Sequence, residues 1–541
     1  TPCASPDAEI ETFRAAFASL QRKLQRLEED SRERLGQEKA AIFGAHALML
    51  ADPMFEGGIL NLIEAGKTAL DAIYDKTMEI RALFSSLPDP YLRERAADVE
   101  DVGRRLFREV QGSGDVDLNA PGRHILVAEE LSPSEAAVLS PEHVAGVITC
   151  VGGATSHYAI IVSALEIPAV SGLESRLFYD GDRVICDGQS GVVVVSPTPA
   201  TVGRYERKRT LFLKEKGDLA SFAGKEAMTR DGHKIELRGN IALPEDAPGV
   251  LEHGGTGVGL FRTECLFMNR PQAPSEEEQY RAYKTVLENM KGLPTVIRTL
   301  DAGGDKQIPY LDELVGPEAN PFLGLRAIRF CLRNKELFMT QLRALLRAGV
   351  AGDLRVMIPM ISDVSQIQTA KEWLEEAGEA LKREGVATGP YRLGIMIEIP
   401  SAALMAAELA TEVDFFSVGT NDLVQYTLAV DRLNGRVADL YQPWHPAVVR
   451  LLKQIVDGAK AGDAEVAVCG EMAGDPLLLP LFVGLGFSGL SMSSVKLPWI
   501  KSRLSRIALP WAENLAREAL SCKSASLVRQ ILERGAEELA E

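Results

Sequence analysis

The sequence predicts an α/β protein: a parallel barrel in its second half, a smaller α/β domain before it, and helices at the start. Three patterns carry that expectation. After Met228, eight candidate strands are mostly separated by helical stretches, and several are continuous apolar runs, the rhythm of doubly buried strands joined by helices. Between about 115 and 197 the runs are short and β-branched. Before about 111 the apolar spacing is helical.

Residues 7–111 read as helices. Ile10, Phe13, Phe17, Leu20, Leu24 and Leu27 recur at spacings of 3 and 4, one apolar stripe along a long helix. Arg22, Lys23, Arg26, Glu28 and Glu29 occupy its other faces. A second stretch holds Ile42, Leu48, Met49 and Leu50 before Asp52 and Pro53 punctuate it ahead of Ile59 and Ile63. These residues suit a bundle core. The alternative is a patch that docks a partner, because Leu48, Met49, Leu50, Met54 and Phe55 crowd one segment.

Strands are expected at 124–127, 144–149, 183–187 and 192–195, with one helix near 157–166. Residues 200–226 form a charged helical stretch with Arg204, Arg207, Lys208, Arg209, Lys214 and Lys216, broken at Gly224, and read as a solvated linker. The later runs lie near 234–241, 256–261, 295–299, 354–359, 393–397, 414–418, 465–469 and 488–492. Eight strands alternating with helices suggest a TIM-type (β/α)8 barrel. The expected domains are 1–114 (helical), 115–199 (small α/β), 200–227 (linker) and 228–541 (barrel).

Composition sets the outer bounds. Hydrophobic residues make up 46% and charged residues 25%, ordinary for a globular protein. No run of 18 apolar residues exists to span a bilayer. Lys and Arg number 59 against 76 Asp and Glu, a net charge of −17, which disfavours nucleic-acid binding. The seven cysteines form no C-x-x-C pair, so neither a disulfide framework nor a zinc cluster is expected, and the cytoplasm is the expected compartment. The chain begins at Thr1 rather than Met, so some N-terminal sequence is expected to be missing; no signal peptide is visible.

Chemistry gathers at the strand ends. The second barrel strand ends in Leu260-Phe261-Arg262-Thr263-Glu264 and the third in Ile297-Arg298-Thr299-Leu300-Asp301. The fifth ends in Ile397-Glu398, the sixth runs into Gly419-Thr420-Asn421-Asp422, and the seventh ends in Cys469-Gly470-Glu471. Loops add Lys306, Arg326 and Arg432. So many basic groups at one barrel mouth repel each other unless an anion lies between them, which argues for an anion site. Glu398 and Asp422 are hard oxygen donors suited to Mg²⁺, or else they pair with the arginines. Cys469 is either a buried small side chain or a proton donor.

In the small domain Gly152-Gly153-Ala154-Thr155-Ser156-His157 precedes a helix. Ser156 is a candidate N-cap, and His157 sits at a helix N-terminus, where the macrodipole favours a phosphate. The same position also suits a structural capping histidine. Gly254-Gly255-Thr256-Gly257-Val258-Gly259 fits neither the P-loop nor the dinucleotide fingerprint, and reads as the turn into the second strand.

These residues closely resemble enzyme I of the bacterial phosphotransferase system, the phosphoenolpyruvate–protein phosphotransferase family. The matching runs include Gly-Gly-x-Thr-Ser-His at 152–157, GTGVGLFRTECLFM at 255–268, RTLDAGGDK at 298–306 and NPFLGLRAIR at 320–329. GIMIEIPSAA at 394–403, DFFSVGTNDLVQYTLAVDR at 414–432 and CGEMAGD at 469–475 follow in order. LSPSE at 131–135 and RERAADVEDVGRRL at 93–106 extend the likeness over nearly the whole chain.

The resemblance implies that residues 115–199 are a swivelling phosphohistidine domain, that His157 is the phosphorylated residue and that Cys469 is the proton donor. It implies that Arg262, Arg298, Asn421 and Arg432 bind phosphoenolpyruvate, with Lys306, Arg326 and Asp422 beside it. Glu398 and Asp422 match the Mg²⁺ ligands. The helical segment corresponds to the insert that binds the small phosphocarrier protein HPr, and members are homodimers through the barrel. Pyruvate is the implied product, and phosphate-driven sugar uptake the implied pathway. The alternative is a nitrogen-type regulatory paralogue lacking its sensory domain.

Other rivals are a dikinase relative, which needs an ATP-grasp domain that no stretch here is long enough to supply, and a phosphoenolpyruvate sensor. The sensor has no need of a proton donor. The sequence also departs from the family. An initial strand is absent, so the small domain is expected to lack one, and Ala154 and Ser163 stand where many members have Arg. Losing those charges bears on how tightly phosphate is held on His157 and on which carrier docks.

The linker is expected to act as the hinge that carries His157 to the barrel. A rigid cross-link across 200–226 should stop turnover; turnover at the unmodified rate would refute the hinge.

Overall fold

The computed structural model describes residues 5–35, 37–86, 90–112, 122–131, 135–136, 138–151, 157–268, 270, 272–303, 308, 310, 315–316, 318–432, 434 and 436–539. The chain forms two compact units, Thr1–Thr210 and Leu211–Glu541.

The first unit opens with five helices, α1 Pro6–Leu35, α2 Gln37–Leu50, α3 Pro53–Glu64, α4 Ala69–Ser86 and α5 Pro90–Gln111. The stripe on α1 is its buried face: Phe13, Phe17, Leu20 and Leu24 join one core with Phe43, Ile59, Ile63 and Leu106. Asp52 caps α3, its side chain accepting the Met54 amide at 2.7 Å, and Pro53 opens the helix, where its missing N–H costs nothing. The crowded segment divides. Leu50 and Phe55 are core, whereas Leu48 and Met54 are exposed.

Beyond the helices lies a parallel sheet of β1 His124–Ala128, β2 Val144–Thr149 and β3 Ala169–Ser171, with a hairpin of β4 Val184–Asp187 and β5 Val192–Val195. The sequence pattern missed β3, which is only 3 residues long and too short for a period. The expected linker is a single helix, Pro199–Ala223.

The second unit is a closed barrel of eight parallel strands: β6 Glu236–Ile241, β7 Val258–Arg262, β8 Thr295–Arg298, β9 Leu354–Ile358, β10 Tyr391–Ile397, β11 Phe415–Val418, β12 Glu465–Val468 and β13 Gly489–Ser493. All eight expected strands are present, with no end shifted by more than two residues. The continuous apolar runs among them arise because one face packs on the surrounding helices and the other fills the barrel. Leu260, Val296, Met357, Met396, Phe415 and Cys469 form a separate interior cluster. Among the described residues no helix is long and apolar enough to cross a membrane.

Lys501 fastens the end of the helix Pro199–Ala223 to this barrel. Its ammonium, with the residue 3% exposed, donates to Ala223 O at 3.0 Å and Gly254 O at 2.9 Å. Gly254 has φ +76°, and a Cβ there would lie 1.9 Å from Ala223 O, so only glycine permits this approach. Burial lowers the lysine pKa. Lys501→Met leaves two carbonyls unsatisfied and is expected to cost about 1–3 kcal/mol, read as a lower urea midpoint for the second unit.

Candidate active site at the barrel mouth

The chemistry-bearing residues lie at or just after the C-terminal ends of five of the eight barrel strands, with Arg326 and Arg432 added by loops. Arg262 ends β7 and Arg298 ends β8, while Glu398 follows β10, and Cys469 follows β12. Asn421 and Asp422 open the helix Thr420–Leu428 directly after β11. Arg326 precedes the short helix Ala327–Cys331, where the Ala327 amide bonds back to Ala302 O at 3.0 Å. Parallel strands of one barrel present all these positions on the same rim.

Asp301 joins the two deepest cations. Arg298 Nη1 lies 2.9 Å from Asp301 Oδ2, and Arg298 Nη2 donates to Glu264 Oε1 at 2.7 Å. Arg326 Nη2 meets Asp301 Oδ1 at 2.9 Å and Asp422 Oδ2 at 3.2 Å, and Nη1 donates to Tyr426 Oη at 3.2 Å. Burial alone would lower both guanidinium pKa values, but Glu264, Asp301 and Glu398 around Arg298 reverse the shift. Asp301, Asp422, Tyr426 and Glu398 do the same for Arg326. Repulsion between these two arginines therefore does not by itself demand an anion, because carboxylates already lie between them. Glu264 and Asp301 were not singled out in the sequence, although each stands in the same short run as its arginine.

The rim is more open. Arg262 is exposed and Arg432 half-buried, its amide donating to Gln425 Oε1 at 3.2 Å. Asn421 Oδ1 accepts the Glu471 amide at 3.1 Å, and Asn421 O accepts from Tyr441 Oη at 3.3 Å. Tyr441 in turn feels the charges of Arg432, Glu471 and Asp422. The structure thus gathers Arg262, Arg298, Arg326, Glu398, Asn421, Asp422, Arg432 and Cys469 at one mouth. Lys306 lies outside the described residues.

Cys469 closes the floor. It is 2% exposed, its Sγ donates to Val418 O at 3.6 Å, and Asn240 Nδ2 holds its carbonyl at 2.9 Å. Burial pushes the thiol up to about 11, with Ser417, Arg298 and Arg262 opposing the rise. The group is a protonated thiol at neutral pH.

The donor set fits a metal ion. Glu398 is 2% exposed and one of its oxygens accepts the Met360 amide at 2.6 Å. Burial, then Asp422 and Asp301, push its carboxyl well up, against the pull of Arg326 and Arg298. Asp422 is already paired with Arg326, as the alternative reading expects, and the repulsion that remains at Glu398 would be offset by a proton or a metal cation. Gly419 makes room beside Glu398, since a Cβ there would sit 2.9 Å from Oε2. Among the described residues no group of three or more His, Cys, Asp or Glu has metal-binding geometry. Two carboxylates, with further oxygens from substrate and water, suit a hard divalent cation.

In the first unit, His157 opens the helix His157–Ala164, and the next residue, Tyr158, is tied to the end of β2 through its hydroxyl and Thr149 Oγ1 at 2.7 Å. The run 152–156, Ala154 included, lies outside the described residues. Ser163 belongs to that helix.

A strand-end cluster of arginines, acids and one thiol on a barrel suits an anionic substrate and a proton transfer, and comparison with known families identifies the class as phosphoenolpyruvate-utilising enzymes. Residues 216–509 match the PEP-binding domain of PEP-utilising enzymes, residues 120–191 their mobile domain and residues 1–95 their N-terminal domain. The chain is 43% identical over 539 residues to the phosphoenolpyruvate-protein phosphotransferase of a Bacillus species (strain S), covering 98% of this chain and 92% of the relative. It is 43% identical to the Geobacillus stearothermophilus protein of that name (98% and 92%) and 43% identical to that of Bacillus subtilis (95% and 91%). The chain belongs to the phosphoenolpyruvate–protein phosphotransferase family, whose enzymes use a metal ion.

Asp301→Asn leaves two buried guanidinium groups short of their common counter-charge. It is expected to cost about 3–5 kcal/mol of stability, measured by denaturant titration, whereas Asp439→Asn on an exposed turn should change it by less than about 0.5 kcal/mol.

Proposed function

We propose that the barrel mouth binds phosphoenolpyruvate and passes its phosphoryl group to His157, which hands it to a histidine of a small phosphocarrier protein of the HPr type as the first step of phosphotransferase-driven sugar uptake. The carrying observation is the strand-end cluster: arginines held by Glu264, Asp301 and Asp422, with a protonated, buried thiol at its floor. Arg262, Arg298, Lys306, Arg326, Asn421 and Arg432 grip the phosphate and carboxylate, with Asp422 beside them. Phosphoryl transfer is mainly positioning and charge neutralisation, which these groups supply.

A ring nitrogen of His157 bonds to phosphorus as the P–O bond of the substrate breaks, and the electron pair stays on the enolate oxygen. Cys469 delivers its proton to the enolate carbon, giving pyruvate, and the thiolate recovers a proton from solvent. Glu398 and Asp422 would hold Mg²⁺, which when bound neutralises negative charge on phosphate and enolate oxygens. A divalent cation held there would add positive charge beside the arginines for the anionic substrate.

His157 and the arginines belong to different units, so the helix Pro199–Ala223 is the connection through which they are brought together, a hinge with its far end held by Lys501. The helices α1–α5 are proposed as the carrier-binding subdomain, with Leu48 and Met54 as exposed apolar contacts. We further place homodimerisation on the barrel and the protein in the cytoplasm, in keeping with six described cysteines that are all free.

Incubation with ³²P-labelled phosphoenolpyruvate and Mg²⁺ is expected to give acid-labile protein label in step with pyruvate, lost with His157→Ala or a metal chelator. Label on an intact His157→Ala protein would refute the assignment of that histidine. Cys469→Ala should slow pyruvate formation about 10²–10⁴-fold, with substrate binding retained.

A further inference from the structure

We infer that Gln341, a buried amide on the helix Lys335–Ala348, is a positioning residue that clamps the ends of β7 and β8 and so aims Arg262 and Arg298 at the substrate. The inference rests on the phosphoenolpyruvate reading of the mouth and adds to it a residue outside the set of ligands.

Gln341 is 0% exposed. Its Oε1 accepts the Leu300 amide at 2.9 Å, and its Nε2 donates to Thr263 Oγ1 at 3.2 Å and to Tyr283 Oη at 3.0 Å. Thr263 Oγ1 donates onward to Arg298 O at 2.7 Å. Tyr283 Oη donates to Gln279 Oε1 at 3.0 Å, and Gln279 Nε2 to Pro274 O at 2.9 Å. Every donor in this chain has an acceptor, so the direction of each bond follows from its neighbours, and the amide orientation of Gln341 is set by the Leu300 N–H.

The placement of the partners carries the argument. Thr263 stands between Arg262 and Glu264, and Leu300 immediately before Asp301. One side chain therefore grips both loops that supply the first two arginines and two of their carboxylates, and Thr263 adds a third bond to the Arg298 carbonyl. Tyr283 and Gln279, on the helix Glu276–Asn289, form the other branch, which leads away from the strand ends. An apolar residue at 341 would leave the buried Leu300 amide unpaired and release Thr263, letting both strand ends shift. Displacements of about 1 Å suffice to cost substantial rate or affinity at a site built on fixed geometry.

The test compares Gln341→Met, close in volume but without the hydrogen bonds, with Tyr283→Phe, which cuts only the branch leading away. Both are made in the full chain and assayed with phosphoenolpyruvate and Mg²⁺. The expected result is a KM for phosphoenolpyruvate raised about tenfold or more in Gln341→Met, with a smaller change in kcat. Tyr283→Phe should keep KM within about twofold while lowering the thermal midpoint comparably. Equal KM for Gln341→Met and the unmodified protein, or an equal rise in Tyr283→Phe, would reduce Gln341 to a core hydrogen-bonding residue. Should Gln341→Met fail to fold, Gln341→Glu, which keeps the acceptor for Leu300 but not the donors, is judged by the same KM criterion. If the unmodified protein neither binds phosphoenolpyruvate nor releases pyruvate, the reading of the mouth fails first, separately from the clamp.

Discussion

The geometry of the barrel mouth depends on one carboxylate. Asp301, 1% exposed, is shared by Arg298 and Arg326, which arrive from different parts of the chain. Taking these charges out of water costs several kcal/mol per ion, so neither arginine would remain in place without a counter-charge at contact distance. Asp301 provides that charge to both, Glu264 supplements it on one side and Asp422 on the other. The guanidinium groups are consequently fixed before any ligand arrives, and positive charge held in a fixed orientation is what stabilises a transferring phosphoryl group.

The floor of the mouth follows from the barrel core. Cys469 belongs to the same interior cluster as Leu260, Val296, Met357, Met396 and Phe415. The two readings of this residue, small core side chain and proton donor, are therefore not in competition. Burial among apolar neighbours raises the thiol pKa to about 11, which keeps the proton on sulfur at neutral pH. Core packing thus reinforces the protonated state that the proposed proton donor would need.

Much of this was legible in the sequence, for physical reasons that can be located. Several of the barrel strands could be read because burial on both faces makes them continuous apolar runs, and the mouth residues because a parallel barrel collects strand ends on one rim. The stripe on α1 could be read because one face meets the bundle core. The short strand β3 could not, being too short for a period to register. Leu48 and Leu50 separate into exposed and buried only through the direction each side chain takes on the folded helix. The pairing of Asp301 with Arg326 spans 25 positions and that of Gln341 with Leu300 spans 41; no local pattern records either.

The polar interior behind the mouth has its own logic. A mouth built from buried ion pairs tolerates little play, because a small separation of charges in a poorly solvated setting changes the energy steeply. Strand ends are the least constrained part of a barrel, since the ladder of backbone bonds stops there. Side-chain bonds must take over where the ladder ends. Thr263 bonds to Arg298 O, Asn240 to Cys469 O, Asn421 to the Glu471 amide and Glu398 to the Met360 amide. Each joins a strand end or its loop to another, so the barrel's backbone order extends one further layer, in side chains, into the mouth.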